Sequence, residues 1–177
     1  MMLDFFKTAA NLKNISRQGW IDKLSIVDPE SVADHSYSMA VMSMVISDIG
    51  NYDSEKILKM ALLHDLAESK IGDYTPEQIN KKEKTLLENN AFNEIVKKLP
   101  NSLKSQYLKI WHEYQGNASP ESKIIHEIDR LEMALQAQIY QEKGYSGEKL
   151  ESFFKSAKND ITDPKLKELF TKIIEKR

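Results

Sequence analysis

At 177 residues and a net charge of −2, with Lys and Arg spread among Asp and Glu, the chain can bury one sizeable core, and no basic stripe marks it as a binder of nucleic-acid polymers. The absence of cysteine excludes disulfides, thiolate metal sites and a cysteine nucleophile, and fits a reducing compartment. No run approaches the ~20 apolar residues of a membrane span, and Asp4 and Lys7 interrupt the apolar patch at Leu3, Phe5 and Phe6 where a signal-peptide core would be continuous, so a cytoplasmic protein with no membrane partner is expected.

Apolar residues recur at helical spacing almost throughout, with no convincing alternating strand, which predicts an all-α fold. Leu3 to about Lys13 reads as a first helix. Asn14 to Trp20 reads as a loop carrying Arg17 and Trp20, a pair able to serve a ligand with a phosphate and a ring, although a surface Arg and a core Trp are the ordinary readings. Ser31 is the expected N-cap of a long helix from Val32 to about Ile49, with Met39, Val41, Met42, Val45, Ile46 and Ile49 as its apolar positions and Gly50 as its stop. His35 falls in its first turn, where a neutral imidazole can pack, face water or bind a metal.

Asp53 or Ser54 caps the next helix, Glu55 to Ser69, which carries Met60-Ala61-Leu62-Leu63-His64-Asp65-Leu66-Ala67-Glu68-Ser69-Lys70-Ile71-Gly72-Asp73. On a continuous helix His64 and Glu68 are i,i+4 neighbours and Asp65 and Glu68 are i,i+3 neighbours, so the three share a broad face. Gly72 permits a sharp exit, with Asp73 just beyond. One imidazole and three carboxylates within ten residues, behind an apolar helical run, suit a divalent metal with acid/base groups beside it. The plainer reading is a helix whose charged end faces water.

Thr75-Pro76 reads as N-cap and first residue of a helix running towards Leu99, whose charges at Lys81, Lys82, Glu83, Lys84 and Glu88 predict a solvated face. Pro100 opens another helix through Trp111 to Tyr114, ended by Gly116, with His112 as an ordinary rim histidine. Ser119-Pro120 opens a helix to about Lys143, with Ile124, Ile128, Leu131 and Leu135 as its core stripe. Asp129 lies on the edge of that stripe and requires a partner, an arginine or a metal; His126, one turn earlier, competes as a ligand. Gly144 and Gly147 bracket a turn, followed by helices over Lys149 to about Lys158 and Pro164 to Arg177, the second behind an Asp163 cap; Phe153 and Phe154 are expected to cover the core.

The order His35, His64-Asp65, Asp129, each pair or residue on its own helix, resembles the HD superfamily of metal-dependent phosphohydrolases. The segments Glu30 to Ala40, Leu62 to Asp73 and Ile128 to Met133, with the Arg17 and Trp20 loop, are similar to its 5′-deoxynucleotidase branch over roughly residues 10 to 142. That resemblance implies a single HD domain over 1–177, a bundle of about 7–8 helices with a metal-site core at about 30–142 and covering helices at about 147–176. It implies a homodimeric, metal-dependent phosphomonoesterase of (deoxy)ribonucleoside 5′-monophosphates. The implied metal ligands are His35, His64, Asp65 and Asp129; Glu68 and Asp73 are the implied acid/base pair; Arg17 is implied to hold the phosphate and Trp20 to lie against the sugar. Gln18-Gly19 separates Arg17 from Trp20, where some members have the two adjacent. One divalent ion is implied, Mn, Co, Fe, Ni, Zn or Mg. The alternatives are another HD-type nucleotide phosphohydrolase or phosphodiesterase and a non-catalytic HD-like adaptor. The chain lacks the second acid of alarmone hydrolases, since Ser69 follows Glu68, and the Gly-Tyr-Pro signature of cyclic-dinucleotide hydrolases.

Overall fold

Helix 8 (α8, Pro120–Glu142) is the axis on which the other elements pack in a computed structural model that describes residues 2–176. Ser119 caps it and Pro120 occupies its first turn, as the sequence predicts; the Ser119 and Ser122 side chains each accept from the other residue's backbone N–H. Among the described residues there are ten α-helices and no strand, only an isolated bridge between Ser16 and Ser31. The expected all-α class is observed, with the chain divided into shorter helices than its periodicity suggests.

The described chain begins with α1 (Met2–Ala10), which tightens into a 3₁₀ turn at Asn11–Asn14. The expected loop around Trp20 is instead a short helix, α2 (Gln18–Leu24), with Arg17 at its N-cap. Helical spacing therefore puts Arg17 and Trp20 one turn apart, and Gln18-Gly19 is the turn between them. Next, α3 (Val32–Gly50) begins at the expected Ser31 cap, where Asp34 completes a capping box. Its apolar residues cover more than one face. Met39 and Ile46 are buried, but Val41, Val45 and Ile49 of the same apolar set are exposed.

The predicted Glu55 to Ser69 helix breaks. Asp53 caps α4 (Ser54–Leu63), and beyond it the backbone bonds switch to three-residue spacing: Leu66 N to Leu63 O, Glu68 N to Asp65 O, Ser69 N to Leu66 O. Three-residue spacing eclipses side chains at i and i+3, so Asp65 and Glu68 stack on one side more closely than a continuous helix allows. The short α5 (Glu68–Ile71) ends at Gly72, whose φ of 85° favours glycine.

Thr75-Pro76 does not start the next helix. Thr75 takes part in a local turn with Gln78, and the stronger cap Asn80 opens α6 (Lys81–Val96). Helices α7 (Asn101–Gln115), α9 (Gly147–Asp160) and α10 (Pro164–Ile174) complete the chain, the last behind the expected Asp163 cap; Arg177, its expected end, lies outside the described residues. Phe92 of α6 stacks on Trp111 of α7 with centroids 4.2 Å apart. Helices α3, α4, α7, α9 and α10 all contact α8, so the first turn of α3, the end of α4 and the middle of α8 meet at one place.

Candidate metal centre

Four predicted side chains converge where those helices meet. His35 Nε2 lies 3.3 Å from His64 Nε2 and 3.3 Å from Asp129 Oδ1. Asp65 Oδ2 lies 3.0 Å from His64 Nε2 and 3.7 Å from His35 Nε2. Selected donor atoms of His35, His64 and Asp129 all fall within 4.8 Å of one another, as a metal-binding group requires. His35 is fully buried and His64 nearly so.

The other face of each imidazole is already committed. His64 Nδ1 is 2.7 Å from Ala61 O and His35 Nδ1 is 2.5 Å from Glu132 Oε2. A ring nitrogen that donates to an oxygen leaves the opposite nitrogen with its lone pair. Two such lone pairs and two carboxylate oxygens in one buried spot repel unless a cation lies among them, so the donor set fits a divalent metal. A proton is the alternative cation: burial and Arg17 oppose it on His35, but Asp129 and Glu132 outweigh them and raise its pKa to about 10. Burial disfavours the charge of Asp129, yet His35 and Arg130 hold its pKa well below the usual range; His64 and Arg17 do the same for Asp65 against burial.

His126 is displaced from this group. It stacks on Tyr114 at 4.3 Å and its Nε2 is 3.0 Å from Tyr114 O; burial lowers its pKa. His112 is exposed, as expected.

Arg17 Nη1 lies 3.3 Å from Asp65 Oδ2. Burial opposes its charge, but Asp73, Asp65 and Glu68 outweigh burial and raise its pKa. Asp73 Oδ2 accepts from Gln18 N at 2.9 Å, which ties the segment after Gly72 to the start of α2. Glu68 is 1% exposed; its Oε1 lies 3.3 Å from Lys84 Nζ, while its Oε2 is buried with no hydrogen-bond partner among the described residues. Burial, then Asp65 and Asp73, push its pKa well above the usual carboxylate value.

Lys84 and Glu88 correct the expected solvated face of α6. Lys84 Nζ reaches Glu68, Glu88 at 3.6 Å, Asp73 at 3.9 Å and Tyr74 O at 3.1 Å. Both residues line a cavity of about 580 Å³, together with Arg17, His64, Asp65 and Asp129. Trp20 also lines it but is 2% exposed, its Nε1–H donating to Glu30 Oε1. The sequence reading assigned Glu132 no role and Lys84 only that of a solvated face.

A family model described as HD domain matches residues 9–169. The chain belongs to the HD domain family. Its HD domain is 39% identical to "5'-deoxynucleotidase HDDC2" of Dictyostelium discoideum over 94% of this chain and 93% of that one. It is 37% identical to the protein of the same name in Danio rerio, over 99% and 88%. Among solved structures, a conserved hypothetical protein from Pyrococcus furiosus superposes with a TM-score of 0.76 at 27% identity, covering 98% of this chain and 99% of that one. HD domains of this kind are metal-dependent, in keeping with the donor set. No helix among the described residues is long and apolar enough to cross a membrane.

Proposed function

We propose that this HD domain is a metal-dependent 5′-deoxynucleotidase, releasing phosphate from deoxyribonucleoside 5′-monophosphates. The observation that carries the reading is the meeting of two imidazole nitrogens and two carboxylates in a cavity that also holds Arg17 and a buried carboxylate with one unpaired oxygen. The names of the relatives support the substrate class.

In this reading His35, His64, Asp65 and Asp129 hold one divalent ion, drawn from Mn, Co, Fe, Ni, Zn and Mg, with Glu132 orienting His35. When bound, the ion supplies Lewis acidity that activates water and offsets phosphoryl charge. Arg17 pairs with a phosphate oxygen as a fixed cation beside Asp65. Glu68 and Asp73 are the acid/base pair. Glu68, with its raised pKa and free Oε2, accepts a proton from the attacking water. Asp73 holds the start of α2, and with it Arg17, in place beside Glu68, and the proton taken from the water is the one the leaving 5′-oxygen receives. Lys84 fixes one oxygen of Glu68 so that the other remains available. Trp20, buried behind the cavity wall, supports the sugar side from behind, and this side favours deoxyribose. Phosphate release from paired deoxy- and ribonucleoside monophosphates, with and without added divalent metal, tests the proposal: metal-dependent release with higher kcat/KM for the deoxy member is expected, and equal rates for both sugars reject the deoxyribose preference.

The same reading includes a single HD domain over 1–177, with the metal-site core at about 30–142 and covering helices at about 147–176, and a cytoplasmic homodimer. The outer face of α3 supports the dimer. Tyr37, Val41, Met44, Val45 and Ile49 form an exposed apolar stripe along residues 37–49 of α3, with Tyr37 73% and Ile49 58% exposed. An isologous contact needs a self-complementary surface, and an apolar stripe opposite its own copy is one. Val45→Glu is expected to convert the dimer to a monomer in sedimentation velocity; an unchanged mass rejects this face.

A further inference from the structure

Part of the apolar wall of the cavity comes from a residue outside the helices that carry the donor set. Helix α9 gives Leu150, Phe154 and Ala157 to the core. Phe153, one position off that stripe, remains half-buried and lines the cavity. Its ring lies over the first turn of α2. The centroid is 4.2 Å from that of Trp20 at an interplanar angle of 37°, and its edge would lie 3.5 Å from a Cβ placed on Gly19.

Trp20 cannot offer much of its own surface to a ligand. It is 2% exposed, held between Phe153 and Tyr140 (5.1 Å), with its N–H committed to Glu30. The indole backs the wall; Tyr74 and Tyr114 also line the cavity, but Phe153 is the ring that covers its α2 side and meets what enters there. Arg17, three residues before Trp20, lines the same cavity. A ligand whose phosphate rests on Arg17 has Phe153, over Gly19 two residues along α2, in the same cavity to receive its flat, apolar end.

We infer that Phe153 is the residue against which the nucleobase of the substrate packs, a contact that holds any base because each offers a π-face. This rests on the proposed nucleotidase reading and adds to it a specificity-determining residue: the phosphate and sugar are gripped by the α2 side, and the base by the C-terminal helix α9. The contact rewards a base without reading its edge, since a phenyl ring has no donor or acceptor. Stacking of this kind predicts a roughly tenfold to hundredfold loss of affinity on removing the ring.

The test is calorimetric binding without added metal, which keeps the ligands intact, using deoxyadenosine 5′-monophosphate and the base-free 2-deoxyribose 5-phosphate on wild type, Phe153→Ala and Phe153→Tyr. Phe153→Ala is expected to weaken the nucleotide by roughly tenfold to a hundredfold, to leave the base-free sugar phosphate within twofold, and to be rescued by Phe153→Tyr. Equal loss for both ligands would make Phe153 a packing residue for α2, and no loss for either would put the base elsewhere; both overturn the inference. Wild-type turnover of the nucleotide with metal is the separate reading: its failure removes the phosphatase assignment, while the binding comparison still decides the role of Phe153.

Discussion

The two sides of the cavity are built on different principles. On one side, α3, α4 and α8 present His35, His64 and Asp129 with nearly every polar atom doubly committed: Glu132 behind His35, Ala61 O behind His64, Arg17 beside Asp65. On the other, α5, the segment just after it and α6 present Glu68, Asp73, Lys84 and Glu88, where one ammonium is shared among three carboxylates and Glu68 Oε2 has no partner among the described residues. Saturation of the outer contacts fixes donors in place, as ion binding requires. An unpaired, desolvated carboxylate with a raised pKa is the opposite device, suited to exchanging a proton. The first side is built to hold, the second to transfer.

Substitutions separate the two roles. The largest effect is expected from Asp65→Ala, which removes an anionic donor and frees Arg17; bound metal and turnover should vanish together, measured by elemental analysis and phosphate release. Retention of both would take Asp65 out of the ion site. Glu68→Gln should keep metal and fold while losing on the order of 10²–10⁴ in kcat, the usual worth of a general acid or base. A near-normal rate would transfer the proton role to Asp73. Glu132→Gln leaves the ligands in place but weakens the acceptor behind His35, so a loss of about 10–100-fold in metal affinity is expected in a chelator competition.

The holding side was more legible in the sequence than the transferring side. His64-Asp65 and Asp129 stand out because an imidazole or carboxylate beside a buried stripe requires a partner, and His35 joins them as a ligand through the resemblance to the HD superfamily. Glu132 was also readable, one helical turn after Asp129 and on the same broad face, but an acid within a polar stretch carries no signal until His35 is seen opposite it. Lys84 and Glu88 were lost among Lys81, Lys82 and Glu83. The missed clue is phase: Lys84 is seven and eleven residues before Ala91 and Ile95, both buried, and so belongs to the inward stripe of α6. The break after Leu63 was not readable, since Leu66 and Ala67 continue the apolar run while the hydrogen bonds shorten to three-residue spacing. Phe153 and Phe154 are adjacent and alike in type; only the docking of α9 on α8 decides which is core and which is cavity wall.

The smallest expected effect sharpens the boundary behind Trp20. Burial, then Glu132, raises the Glu30 carboxyl to about 7. A folded-state pKa above the unfolded one means the folded chain binds the proton more tightly, so this contribution is complete below about pH 4.5 and is lost as pH rises through about 7. Glu30→Gln keeps an acceptor for the Trp20 N–H and cannot ionise. The difference between its melting temperature and that of wild type should therefore shift in favour of the variant from pH 5 to pH 8; a constant difference would remove Glu30 from the pH response.

The most direct test of the division between holding and transferring is the metal content of purified Asp129→Ala and Glu68→Gln beside wild type, measured with turnover on the same samples. The account predicts two inactive variants that differ in metal: Glu68→Gln loaded like wild type, Asp129→Ala empty. A loaded Asp129→Ala with an empty Glu68→Gln would contradict it.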